Sequence, residues 1–141
     1  MNFETIINWL ENKVNYCLSE LSQRLGVDWI VEQGTSGIWT YEKWNSGKAV
    51  CWGIINGATG TFTSHGIAVY YSKAISTSLP NNLFSTVSYA IPTMISGGGG
   101  LLLPRTSAIS VSVVTVDFVR FYGGSDSLNI KYAIEVKGRW K

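Results

Sequence analysis

Imidazole and thiol chemistry are scarce in this chain, which holds one histidine and two cysteines. One histidine excludes a His-rich metal site, and two cysteines make neither a disulfide framework nor a zinc site without other ligands. Cys17 falls in a helical segment and Cys51 in a strand segment, so both are expected to be buried free thiols. Charge is short as well: charged residues make up 14% of the 141 positions, against 45% hydrophobic. So little charge implies that partner chains cover part of the apolar surface. The eleven Lys and Arg are scattered and the net charge is only +2, so the basic patch of a nucleic-acid interface is missing. The start, MNFETIINWLENK, is acidic and broken by polar residues. It reads as neither a signal peptide nor a membrane span, and no membrane insertion is expected.

Catalytic constellations are equally thin. His65 sits in a turn-like Thr-Ser-His-Gly, and no G-x-S-x-G elbow accompanies it. Nine acids occur, three of them (Glu4, Glu11, Glu20) in the N-terminal segment. Asp117 lies in the apolar run VVTVDFVRF, where a structural carboxylate bonded to another strand or chain is the plainer reading. A glycoside hydrolase would need it paired with Glu135 or Asp126 across one groove. No enzyme activity, cofactor or metal is expected. The run Gly97 to Gly100 lacks the Lys-Ser/Thr of a phosphate-binding loop. It reads as a flexible surface loop, or as one ordered at a subunit or ligand contact, because Leu101, Leu102 and Leu103 would otherwise be exposed.

What the chain does have is a change of character at Gly26. Before it, Phe3, Ile7, Leu10, Val14, Cys17 and Leu21 follow a 4-3-4-3-4 spacing, the seam of a heptad repeat. Asn2 is a suitable N-cap and Gly26 a suitable terminator, which places a helix from about Asn2 to Leu25. It can lie on its own domain, or join chains as a short coiled coil; three heptads alone are marginal. Ile7 and Val14 with Leu10 suit two strands, Leu21 departs from that pattern, and the seam does not fix the oligomer number. A division into residues 1–26, an oligomerisation segment, and 27–141, a β head, follows. A helical segment so short suits a fragment or a small accessory subunit.

After Gly26 short β-rich runs alternate with Gly, Ser, Thr and Asn. Strands are expected at 29–33, 38–44, 49–55, 67–73, 84–90, 108–122 and 129–140. In the last, Ile130, Tyr132, Ile134 and Val136 alternate with Lys131, Glu135 and Lys137, so one face is buried and one wet. Seven or so strands with no helix between them mean a mainly β fold, an antiparallel sandwich or barrel, and the β-sandwich is the expected class. Three of the six tryptophans fall within WTYEKWNSGKAVCWG, where Asn45-Ser46-Gly47 turns one strand into the next. Core packing is the better reading for Trp39, Trp44 and Trp52. For a sugar-binding surface, His65, Tyr70, Tyr89 and Tyr122 are the candidate contacts, since a tyrosine offers both a ring face and a hydroxyl.

Gly37, Trp39, Tyr41, Lys43, Trp44, Gly47, Cys51, Trp52 and Gly53 also match a G-x-W-x-Y-x-K-W-x-x-G-x-x-x-C-W-G pattern. This resembles the hairpin that opens a C-terminal head domain in phage and prophage tail-fibre and baseplate-associated, receptor-binding proteins. The close, Gly138-Arg139-Trp140, is similar too, while the middle of the chain matches loosely and Glu42 stands where a basic residue is common. The resemblance implies a jelly-roll-like head behind a coiled-coil stalk, assembled as a homotrimer whose interface is the seam from Phe3 to Leu21. It implies a virion protein, assembled in the bacterial cytoplasm, that contacts other tail or baseplate proteins and attaches to host cell-surface glycans. Two alternatives stand beside it: a structural domain that only trimerises and caps a fibre, and a glycan depolymerase using Asp117.

Overall fold

The computed structural model describes residues 2–66, 68–97, 101–121 and 124–141. Helix α1 spans Phe3–Leu25, and both ends follow from the residues there. The Asn2 side chain accepts the Thr5 amide at 2.8 Å, satisfying a donor the first turn leaves without a partner. Gly26, at φ 64°, ends the helix in the left-handed region. Among the described residues ten strands follow: β1 (Ile30–Ser36), β2 (Trp39–Trp44), β3 (Lys48–Ala58), β4 (Phe62–Ser64), β5 (Val69–Ser72), β6 (Ile75–Ser78), β7 (Thr86–Gly97), β8 (Leu101–Ile109), β9 (Val113–Phe121) and β10 (Asn129–Arg139).

Every strand pair is antiparallel, as the turn-punctuated pattern predicts. The first sheet runs β1-β2-β3-β10-β7. In the second, β9 is central: β5 and β6 share one edge, β8 takes the other, and β4 pairs β5. β5 and β6 amount to one strand with a bulge, because Tyr71 opposes Val119 while Ile75 opposes Val116. At that break the Ser72 hydroxyl accepts the Phe118 amide at 2.9 Å.

One hydrophobic core joins the two sheets. Ile130, Tyr132, Ile134 and Val136 of β10 face Val114, Val116 and Phe118 of β9, and the Phe118 and Tyr132 rings meet edge to face at 5.3 Å. The alternation read from β10 is therefore the inside and outside of a two-layer packing.

Several expectations are corrected. The run at 108–122 is not one strand: Ser110–Ser112 breaks it, with the Ser110 hydroxyl accepting the Val113 amide at 3.1 Å. The residues before that turn form β8, so the leucine triplet is strand rather than loop. Leu102 points into the core, and Leu101 and Leu103 stay exposed on the outer face. Residues 98–100 of the glycine run lie outside the described residues. Both cysteines are free, but only Cys51 is buried; Cys17 is exposed. Nor does the helix lie on its own domain. Among the described residues no strand packs along α1, and Phe3, Ile7, Leu10, Val14 and Leu21 of its seam are exposed.

Candidate functional site

The signature stretch is the hairpin β2–β3, closed by the Gly47 amide bonding the Trp44 carbonyl at 2.9 Å. Asp28, just past the helix, braces this turn by accepting from the Ser46 amide at 2.9 Å and the Ser46 hydroxyl at 2.6 Å. Burial pushes against the charged form of Asp28, but the two Ser46 bonds together with the Lys48 and Lys141 charges hold its carboxyl below the usual range. The three tryptophans do three different things. Trp39 is 3% exposed and opposes Gly53, where a Cβ would come within 2.8 Å of the Ile38 carbonyl and 3.3 Å of the Trp39 ring. Its indole N–H donates to the Ser78 carbonyl at 2.7 Å, tying the first sheet to the second. Trp44 is half-buried under the Lys48 ammonium, 4.0 Å from its ring centroid. Trp52 is not in the core. It lies on the outer face of the first sheet, 38% exposed, between Thr40 and Glu135.

Of the candidate sugar contacts, His65 and Tyr70 lie near each other in the β4–β5 hairpin, where the His65 amide bonds the Val69 carbonyl at 2.9 Å, while Tyr89 is elsewhere. His65 follows β4, edge-on to Tyr71 at 4.9 Å. Tyr70 is half-buried against the core. Tyr89 is exposed on β7, in the other sheet, with the Lys137 ammonium 5.6 Å from its ring centroid. Tyr122 lies outside the described residues.

Asp117 and Glu135 also fail to converge. Their neighbours in β9 and β10 face the shared core, so the two carboxylates sit on opposite outer faces. Asp117 instead holds Arg105, whose Nε and Nη2 donate to its two oxygens at 2.9 and 2.6 Å. Glu135 pairs with Lys137 at 2.9 Å. Asp126 is exposed beyond β9.

Polar side chains do converge at one edge of the molecule. Along β2 the inward positions run Trp39, Tyr41, Lys43, so the core gives way to polar groups as the strand reaches its end. Opposite them on β1 stand Ser36, Gly34 and Glu32. The Tyr41 hydroxyl donates to Glu32 Oε1 at 3.1 Å, and Lys43 Nζ donates to Oε2 at 2.8 Å. The Lys43 bond, then Tyr41's against an opposing burial cost, hold the Glu32 carboxyl below its usual range; the same carboxylate raises the Tyr41 phenol. Across from this trio the β6–β7 connection supplies Pro80, Asn81 and Leu83 as the other wall of a cleft of about 250 Å³. Sequence reasoning did not single out Glu32, Asn81 or this role for Tyr41 and Lys43. The available signal was the change from Trp to Lys along one face of β2.

The chain's fold is similar to that of a solved N-truncated R1-type pyocin tail fibre. The two superpose with a TM-score of 0.56 at 13% identity, over 85% of this chain and 94% of the other. The likeness is one of fold. No family model and no curated protein matches the chain.

Proposed function

We propose that this chain is a tail-fibre or baseplate head, a phage-particle component that adheres non-covalently to host cell-surface glycans as a homotrimer. The observation that carries the reading is the bare seam of α1. Phe3, Ile7, Leu10, Val14 and Leu21 stand exposed at heptad spacing, and the chain's own strands leave them uncovered. Copies of the same helix would cover them as a parallel coiled-coil stalk, with the jelly-roll-like head at residues 27–141 beyond. Three heptads hold chains together weakly, so the heads contribute to assembly as well. The fold likeness to a pyocin tail fibre and the Trp-rich hairpin support the same placement. No helix among the described residues is long and apolar enough to cross a membrane. Three equivalent weak sites on one particle would gain affinity by avidity.

A second reading, a domain that only trimerises and caps a fibre, is favoured by the apolar outer face of the first sheet. Trp52, Ile54 and Ile91 are all exposed there and fit a protein neighbour better than water.

Light scattering on the eluting full chain, beside retention of bacterial envelope polysaccharide, tests both readings. A mass three times the 15.5 kDa chain that falls in an Ile7→Asp variant, with polysaccharide retained, is the expected result. A trimer that retains no polysaccharide favours the cap, and a monomeric wild type overturns the stalk.

A further inference from the structure

We infer that the cleft between the β1–β2 edge and the β6–β7 connection is a subsite for a single neutral hexopyranose unit. The inference rests on the adhesion reading only for the origin of the sugar, a cell-surface glycan. The residues facing the cleft are arranged as a sugar site requires. A pyranose carries hydroxyls around its rim and C–H bonds on its face. It therefore calls for donors and acceptors beside an apolar wall.

The acceptor is Glu32, held ionised by Lys43 and Tyr41. Lys43 Nζ has further N–H donors beyond the one given to Glu32, and Asn81 brings an amide that both donates and accepts. The apolar face is supplied by the half-buried Tyr41 ring, with Pro80 and Leu83 buried behind the opposite rim and presenting little surface of their own. Glu32 and Lys43 cancel in charge, so the cleft has no net field to draw a phosphate or a carboxylated sugar. A cleft of about 250 Å³ lies below the range that takes a drug-sized ligand, which fits one ring and not a chain of them.

Both walls are fixed. A Cβ at position 34 would come within 2.9 Å of the Tyr41 hydroxyl oxygen, so Gly34 is what lets the phenol lie across β1 to reach Glu32. The opposite wall is anchored by the Leu79 amide on the Ser112 carbonyl at 2.8 Å and by the Ser85 amide on the Arg139 carbonyl at 2.7 Å. Polar groups at the edge of a packed core, held in place before anything binds, lower the ordering cost that weak ligands cannot otherwise meet.

The test is an NMR titration of the full chain with the methyl glycosides of glucose, galactose, mannose and N-acetylglucosamine, one at a time, to high millimolar concentration. At least one is expected to saturate, with shifts confined to residues around Glu32, Tyr41 and Asn81. Asn81→Ala and Glu32→Gln are each expected to weaken it at least tenfold, while Trp52→Ala and Tyr89→Ala change nothing. Asn81 is on an exposed connection, so its variant keeps the test readable if the Glu32 variant loses its native spectrum. Overturning results are no saturation with any glycoside, or shifts centred on Trp52, Tyr89 or His65. Envelope polysaccharide retained equally by wild type and Asn81→Ala would remove the cleft and leave the adhesion reading standing. Hexoside binding in the cleft without polysaccharide retention would do the reverse.

Discussion

Replacing each tryptophan of the hairpin by phenylalanine separates three environments that lie within fifteen residues of sequence. Trp39→Phe removes the donor to the Ser78 carbonyl, a bond that joins the two sheets at 2.7 Å in a partly buried setting. An acceptor stranded in this way costs about 1–3 kcal/mol. The smaller ring also leaves space beside Gly53 that its neighbours cannot close, adding about 1 kcal/mol, well below a full truncation to alanine. The sum is about 2–4 kcal/mol. Trp44→Phe deletes a buried indole N–H that has no acceptor among the described residues, so the loss of that group costs nothing. What remains is a weaker ring for Lys48, worth about 0.5 kcal/mol. Trp52→Phe alters an exposed face and is expected to stay within about 0.5 kcal/mol.

Urea unfolding followed by circular dichroism, at one fixed chain concentration, reads the ranking directly. The fixed concentration matters because assembly stabilises the folded chain by mass action. With a slope of about 2 kcal/mol per molar, Trp39→Phe should lower the midpoint by about 1–2 M, and the other two by about 0.3 M or less. A Trp39 variant no less stable than the Trp52 variant would refute its role as the tie between the sheets.

Two further outcomes follow from the same structure. Burial pushes the Cys51 thiol up to about 12, so a thiol reagent at neutral pH should modify only Cys17 in the native chain, and both cysteines after unfolding. If the seam joins copies, Cys17 labelling should be slow at high chain concentration and fast in Ile7→Asp; rapid labelling at every concentration would count against the stalk. Arg105→Ala should cost about 1–2 kcal/mol, because it leaves a carboxylate only 10% exposed without its bidentate partner. Lys137→Ala, which breaks a far more open pair, should cost about 0.5 kcal/mol or less; equal melting shifts for the two would show that Asp117 is better hydrated than its position implies.

Much of the architecture was legible because local chemistry and packing agree there. Asn2 and Gly26 mark the helix ends, and the alternation through Ile130, Tyr132, Ile134 and Val136 needs no tertiary knowledge to be read as a half-buried strand. The failures fall where the two disagree. Ser110-Val111-Ser112 carries no glycine or proline, so the turn that divides β8 from β9 depends on a serine hydroxyl bond that composition does not announce. The leucine triplet looked like an exposed loop because a strand at the border of a sheet buries alternate residues only: Leu102 is inside, its two neighbours out. As an aromatic in a hairpin strand, Trp52 reads from sequence as core. Strand parity decides the matter, since it alternates with Cys51 and Gly53, both of which face inward.

The cleft was hidden for a different reason. Its residues come from β1, β2 and the β6–β7 connection, and no spacing along the chain brings Glu32 and Asn81 together. Yet half of it was in plain view. Trp39, Tyr41 and Lys43 share one face of β2, and a face that begins with a buried indole and ends with an ammonium must cross from core to solvent within five residues. Such a crossing sits at the rim of a sheet pair, where one wall is already built and polar groups can be held without paying full burial. Aromatic-to-cationic runs along a single strand face are therefore a better guide to a polar cleft than aromatic content, which here pointed to rings scattered over both sheets.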